Sequence, residues 1–322
     1  MSSLSEGRFV SSSVPLITRT PQYATLLTDD GVPVEAVYEP CTAGAGPGAA
    51  RVAEQTAIVV AHGFTGSLDR PAVRRAARVF SQRAAVVTFS FRGHGNSGGK
   101  STVGDREVLD LAAAVSWARS LGHRRIVTVG FSMGGSVVLR QAALYTKKAV
   151  GKEGAVRGVA ESSGPASGPA PGSTSAPGST SAPGSTSAPG STSAHVDGVI
   201  SVSSPARWYY RGTASMRRLH WVVTRPAGRL VGRYGLGTRI HDEDWDPVPL
   251  SPVEAVPLIA PAPLLVVHGD RDPYFPLDHP RMLADAAARG AAELWLERGM
   301  GHAENAADEA LLGRMADWAV GA

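Results

Sequence analysis

Gly130-Phe131-Ser132-Met133-Gly134 fits G-x-S-x-G, the pattern of a serine on a sharp turn between a strand and a helix. The preceding run Arg125–Val129 reads as a short buried strand. The segment Gly135–Tyr145 reads as a helix with Val137, Val138, Ala142 and Tyr145 apolar. A serine hydroxyl is a weak nucleophile at neutral pH and needs a neighbouring base. It must also stand clear of its own backbone, which a strained turn achieves where the surroundings enforce it. Glycines at 130 and 134 spare collisions with adjacent backbone. The helix that starts beneath the serine offers free N–H groups and a positive end to developing negative charge. A second match, Gly95-Asn96-Ser97-Gly98-Gly99, runs on into Gly99-Lys100-Ser101, where no helix starts. Ser132 is therefore the candidate nucleophile, and Ser97 is expected to be an ordinary loop serine.

A nucleophilic serine works with a base, an orienting carboxylate and an oxyanion site. Downstream, the apolar strand Leu264–Val267 leads into His268-Gly269-Asp270-Arg271-Asp272. Asp272 is the candidate carboxylate and Asp270 the second choice, better suited to bracing the loop through backbone amides. Asp278 reads as a helix cap before Pro280. A further strand, Leu294–Glu297, precedes Gly299-Met300-Gly301-His302. His302 is the candidate base, with Gly301 and Ala303 leaving its ring room; its competing role is to start a helix over 304–320. His62 and His94 belong to glycine loops and His123 precedes a strand, so they compete weakly with His302; His268 ends a buried strand and reads as structural. The oxyanion site needs two backbone N–H groups. Met133, the residue after the nucleophile, supplies one. Phe64, in the loop Ala61–Gly66, supplies the other, with Gly63 expected to let the backbone turn.

The elements that must hold these groups alternate between strand and helix, as in a mainly parallel sheet. Tyr23–Thr28 and Val32–Tyr38, joined at Asp29-Asp30-Gly31, read as an opening antiparallel hairpin. Strands follow at Thr56–Val60, Ala85–Ser90 and Gly198–Ser203, and helices near 71–83, 106–121, 133–148 and 279–289. The serine, aspartate and histidine each sit just past a strand, where open α/β sheets place their ligand crevice.

Taken together, His62-Gly63-Phe64, Arg92-Gly93-His94-Gly95-Asn96-Ser97, Gly130–Gly135, His268–Asp272 and Gly301-His302 resemble the α/β-hydrolase superfamily in identity and order, over about 50–305. The resemblance is to the small bacterial esterases and the monoacylglycerol-lipase or serine-aminopeptidase-like branch, in which Arg-Gly-His-Gly-x-Ser follows the fourth strand. Ser90-Phe91 stands before Arg92 where an aspartate is common. A serine at 132 argues against the dehalogenase and epoxide-hydrolase branches, which use aspartate there. The resemblance implies a mostly parallel eight-stranded sheet with helices on both faces and a small, mainly helical cap. The core would comprise 1–204 and 258–322 and the cap 205–257. It also implies hydrolysis of a small-molecule carboxylic ester or thioester through an acyl-enzyme, with no metal or organic cofactor. An aminopeptidase or amidase is the alternative enzyme and would need a cap carboxylate, Glu243 or Asp244, to bind a free amine. A catalytically silent binding protein of this fold is the third reading; such proteins usually lose a triad member, and none is missing.

Composition bounds the remaining classes. With 322 residues and 43% hydrophobic content the chain can bury a sizeable core. The single cysteine, Cys41, excludes internal disulfides and suits a reducing compartment. Met1–Ser13 lacks the apolar stretch of a signal peptide, and no apolar run approaches the ~20 residues of a membrane span. A cytoplasmic protein is expected. A net charge of +4 is too small to argue for nucleic acid. Pro171-Gly172-Ser173-Thr174-Ser175-Ala176 recurs in tandem through Ala194, within an insert over about 161–195. It has no apolar face to bury and is expected to loop out without order. Segment 205–257 carries Arg207, Arg211, Arg217, Arg218, Arg225, Arg229, Arg233 and Arg239, followed by the acidic run Asp242-Glu243-Asp244-Trp245-Asp246. The simplest expectation is that these charges pair with one another. The alternatives are an anionic substrate, an acyl-carrier phosphate or a membrane surface.

Overall fold

The computed structural model describes residues 20–42, 55–146, 194–288 and 290–321. The tandem repeat lies outside them except for its final Ala194, which is buried and whose carbonyl accepts a 2.6 Å hydrogen bond from Gln141 Nε2. The chain therefore leaves the core and re-enters it at neighbouring points.

Eight strands form one sheet: β1 (Gln22–Leu27), β2 (Pro33–Glu39), β3 (Thr56–Ala61), β4 (Ala85–Phe89), β5 (Arg125–Phe131), β6 (Gly198–Val202), β7 (Leu264–Gly269) and β8 (Ala292–Glu297). Their order is β1-β2-β4-β3-β5-β6-β7-β8. The pairs β1–β2 and β2–β4 are antiparallel and the rest parallel. The central strands are mostly apolar and buried along nearly their whole length because both faces are covered. Successive side chains point to opposite faces. Ala57, Val59 and Ala61 pack in a core with helices α2 (Glu107–Ser120) and α3 (Met133–Leu144). Ile58 and Val60 pack on the other side with α1 (Pro71–Phe80) and the C-terminal helix. Crossover connections over these faces bring each parallel strand in the same direction, so the loops at their carboxyl ends gather along one rim.

Between β6 and β7 the chain makes an excursion containing α4 (Ala214–Thr224), α5 (Pro226–Gly235) and the single turn α6 (Pro252–Ala255). Thr213 caps α4 by accepting from Met216 N–H, and Pro226 opens α5 at the position where a missing N–H costs nothing. The returning segment bridges Ile240 to Ser101, tying the excursion to the loop after β4.

Two expectations need correction. The helix over 304–320 is interrupted: α8 (Ala303–Ala306) ends at extended Ala307, and α9 (Glu309–Gly321) begins after Asp308, whose carboxylate accepts from Leu311 N–H at 2.8 Å. Arg75 takes the carbonyls of Glu304 and Ala307, satisfying the broken end. Asp278 does not cap the next helix; it is the first residue of α7 (Asp278–Ala286), and its carboxylate faces Arg207 at 3.1 Å.

Candidate active site

Ser132 sits between β5 and α3 with φ 53° and ψ −113°. A left-handed φ at an L-residue costs about 1–3 kcal/mol and persists only where neighbours impose it. Here Ser132 N–H donates to Val202 O on β6 at 2.9 Å, and Ser136 N–H donates to Ser132 O at 3.2 Å. The flanking glycines admit the tight turn. A Cβ at Gly130 would lie 2.2 Å from Gly134 O, and one at Gly134 would lie 2.2 Å from Ala61 O on β3.

The three candidate side chains converge on this turn. His302 Nε2 lies 2.9 Å from Ser132 Oγ, and His302 Nδ1 lies 2.7 Å from Asp272 Oδ2. The Asp272 side chain is fully buried and that of His302 is 17% exposed. Asp272 Oδ1 accepts from the N–H groups of Tyr274 and Phe275 at 2.8 and 3.1 Å. Burial pushes this carboxyl's pKa up. The His302 hydrogen bond and charge, the Tyr274 amide and His268 outweigh it, and the net shift is below the usual aspartate value. An ionised Asp272 fixes the proton of His302 on Nδ1 and leaves Nε2 as an acceptor for the serine hydroxyl. Asp270, the second choice, instead accepts from Gly299 N–H at 2.6 Å and braces the loop that leads to His302.

Met133 is the first residue of α3, so its N–H has no acceptor within the helix. Phe64 is buried in the loop after β3. Its carbonyl takes contacts from His94 Nε2 and, at 3.4 Å, from Thr238 Oγ1 of the excursion. Gly63 does not play the part expected of it. Its φ is not left-handed; a Cβ there would lie 3.2 Å from Glu304 Oε1. Buried Glu304 in turn accepts from Gly63 N–H at 3.3 Å, joining the Phe64 loop to the His302 loop.

Several neighbours of the site carry no motif. The Tyr274 ring lies 4.2 Å from the His302 ring at an interplanar angle of 31°. Thr213 Oγ1 donates to Tyr274 O at 2.9 Å, so α4 is anchored to the Asp272 loop at its cap. Ser203 and Ala303 both adopt φ near +50°, and Ala303 N–H donates to Ser203 Oγ at 3.1 Å. Only the pairing Glu304–Gly63 had any sequence signal, an acid two residues past the histidine, and that acid was absorbed into the expected long helix.

The remaining histidines are spent on the scaffold. Buried His62 donates from Nδ1 to Gly63 O and accepts Phe91 N–H on Nε2, which requires the neutral ring; burial, with nearby His94, depresses its pKa well below the usual value. His268 is turned to Phe275 O at 2.9 Å, and its pKa is lowered by burial. His123 meets the Tyr38 hydroxyl at 3.1 Å. His279, not singled out from sequence, accepts Ala206 N–H at 2.8 Å, and burial lowers its pKa to about 4. Ser97 is 1% exposed; its hydroxyl donates to Ser90 O and accepts Glu35 N–H, so it has no free edge for chemistry.

The excursion does not pair its charges as expected. Asp242 holds Lys100 at 2.7 Å, and Trp245 donates its indole N–H to Thr102 O, fixing the acidic run against the 101–102 loop. Among the described residues, the one ion pair made by the eight arginines is Arg207–Asp278.

A family model described as the alpha/beta hydrolase fold matches residues 56–304. Among solved structures, an esterase of Pyrococcus furiosus, Pf2001, is similar at 18% identity and a TM-score of 0.59, over 93% of this chain and 92% of its own. The esterase domain of a Rhodothermus marinus protein matches at 18% identity and 0.54, over 94% and 98%. A serine hydrolase of Xanthomonas campestris described as lacking a lid matches at 18% identity and 0.52, over 95% and 96%. No curated protein matches the sequence. At these identities the solved structures speak for the fold alone, but the family model spans well over half of the chain, and strands β3 to β8 and the serine turn fall inside the match: the chain belongs to the α/β-hydrolase family.

Proposed function

We propose that this protein is a serine hydrolase that cleaves a carboxylic ester or thioester through an acyl-enzyme. The observation that carries the reading is the continuous chain from Ser132 Oγ to His302 Nε2 at 2.9 Å and from His302 Nδ1 to Asp272 Oδ2 at 2.7 Å. In this mechanism His302 takes the Ser132 proton as the oxygen attacks the substrate carbonyl. The N–H groups of Met133 and Phe64 receive the oxyanion, each contributing about 3–4 kcal/mol of transition-state stabilisation. His302 then protonates the leaving group, and water, deprotonated by the same ring, releases the acid. Asp272 holds the tautomer and balances the imidazolium. The segment 205–257 acts as the cap. Its support is that the α4–α5 hairpin is tied at one end to the Asp272 loop through Thr213 and at the other to the Phe64 carbonyl through Thr238.

The ester reading is preferred to amide cleavage because the acidic run contacts Lys100, Thr102, Arg229, Trp208 and Tyr209, and none of these contacts brings Glu243 or Asp244 to the serine. A fluorophosphonate probe should label the wild type and leave Ser132→Ala unlabelled, while Ser97→Ala keeps labelling. p-Nitrophenyl esters should turn over and aminoacyl-nitroanilides should not. Labelling of Ser132→Ala, or an inert wild type across the ester series, would refute the assignment.

A further inference from the structure

The outer face of the α4–α5 hairpin is both basic and apolar. Positions 205–240 contain eight arginines and no aspartate or glutamate. Arg211, Arg218, Arg225 and Arg233 are exposed, with no ion pair among the described residues. Beside them Trp221 is 48% exposed, Leu230 58% and Tyr234 78%. A shallow cleft of about 600 Å³ opens on the same face, lined by Ala214, Arg217, Arg218, Trp221 and Val222. Among the described residues no carboxylate is paired with these four arginines; the acidic run meets the hairpin at Arg229, through the Asp242 carbonyl. The acidic run after His241 is held against the 101–102 loop. The residues outside the described set contain only the scattered acids Glu6, Glu54, Glu153 and Glu161, outnumbered by lysines and arginines.

Unpaired guanidinium groups suit phosphate, which they meet in a bidentate fork. Exposed tryptophan, tyrosine and leucine among them suit the boundary between headgroups and acyl chains, where an amphipathic ring is half wetted. A nucleic acid or an acidic protein would satisfy the charges yet leave Leu230 and Val231, 58% and 47% exposed, without a partner. We propose that the α4–α5 face is a peripheral docking surface for an anionic lipid bilayer. No described helix is long and apolar enough to cross a membrane, so attachment is by this face lying in the interface. The same hairpin is anchored at Thr213 and Thr238 beside the Ser132 site, so docking holds that site close to the bilayer.

Vesicle flotation of the full chain tests this with a readout that does not depend on turnover. Phosphatidylcholine vesicles are compared with vesicles containing about 30 mol% phosphatidylglycerol, at about 0.1 M and about 0.5 M salt. The wild type should float with the anionic vesicles, stay behind with the neutral ones, and release at high salt. Each arginine at an anionic surface adds about fivefold in partitioning, so Arg218→Gln/Arg225→Gln/Arg233→Gln should bind about a hundredfold more weakly with an unchanged melting temperature. Trp221→Ala should also weaken binding. Equal partitioning of the wild type to both vesicles, or a triple variant that binds like wild type, overturns the proposal. So does loss of binding in the triple variant together with full binding by Trp221→Ala and tight binding to heparin, the signature of a site for an acidic macromolecule instead.

Discussion

Asp272 sits where one atom's identity decides which nitrogen of His302 carries the proton. Its Oδ1 is claimed by two backbone donors, the N–H groups of Tyr274 and Phe275, and its Oδ2 faces His302 Nδ1. In Asp272→Asn the amide oxygen must take the place of Oδ1, because an NH2 there would confront two donors. The NH2 then faces His302 and forces Nδ1 to accept, which moves the ring proton to Nε2, against Ser132. The base is lost while the packing is unchanged. For the proposed mechanism, kcat of ester hydrolysis should fall by about 10⁴ with little change in melting temperature; a variant within tenfold of wild type would contradict the assigned role. At this scale sequence reasoning reached the residues that carry motifs. It did not reach Tyr274 stacked on His302, which leaves no pattern in nearby sequence, or Glu304 beneath Gly63, whose one signal, an acid two residues past the histidine, does not say what it reaches.

The next scale up is the strand–turn–helix unit β5–α3, whose precision rests on absent side chains. In Gly134→Ala the new Cβ meets Ala61 O at 2.2 Å and His62 O at 2.6 Å. These are backbone atoms of β3 and its loop and cannot step aside, so α3 must move away and carry the turn with it. Overpacking of this kind costs about 1–3 kcal/mol or more, and fluorophosphonate labelling should be lost along with several degrees of melting temperature. Gly313→Ala is the matched control. It lies inside α9 with nothing within 4 Å of the new methyl, so it should raise stability by about 0.5–1 kcal/mol and leave labelling intact. Apolar periodicity and glycine spacing made β5 and α3 readable in advance. The break between α8 and α9 went unread: Asp308 three residues before Leu311 is an N-cap signal, but the apolar pattern runs straight through it, and only Arg75 from α1 shows why the helix is interrupted there.

Across the whole molecule, the sheet is a continuous platform that tolerates excursions at its edges. The chain leaves α3 after Leu144 and re-enters at Ala194, which Gln141 holds at the end of that same helix. Loop-closure cost changes by only about 0.6 kcal/mol per doubling of length. Removing 171–188, three copies of the repeat, should therefore stabilise the fold by less than about 0.6 kcal/mol and leave ester turnover unchanged in a thermal melt and rate assay. A large loss of either would mean that the tract contributes contacts to the core. The β6–β7 excursion behaves differently, because it is bonded to the 101–102 loop, the Asp272 loop and the Phe64 carbonyl. Changes there should be felt at the serine.

By itself the sequence determined the alternation of strand and helix, the hairpin at the N-terminal edge, and the order in which serine, aspartate and histidine follow their strands. Those features are written in local periodicity and turn chemistry, which depend on residues a few positions apart. Only the tertiary structure decided which oxygen of Asp272 faces the ring, that Glu304 reaches Gly63 from 241 positions away, and that the arginines of 205–240 stand largely without the acids that follow them. Those outcomes depend on how distant loops pack along one rim of the sheet, and no short stretch of chain carries that information.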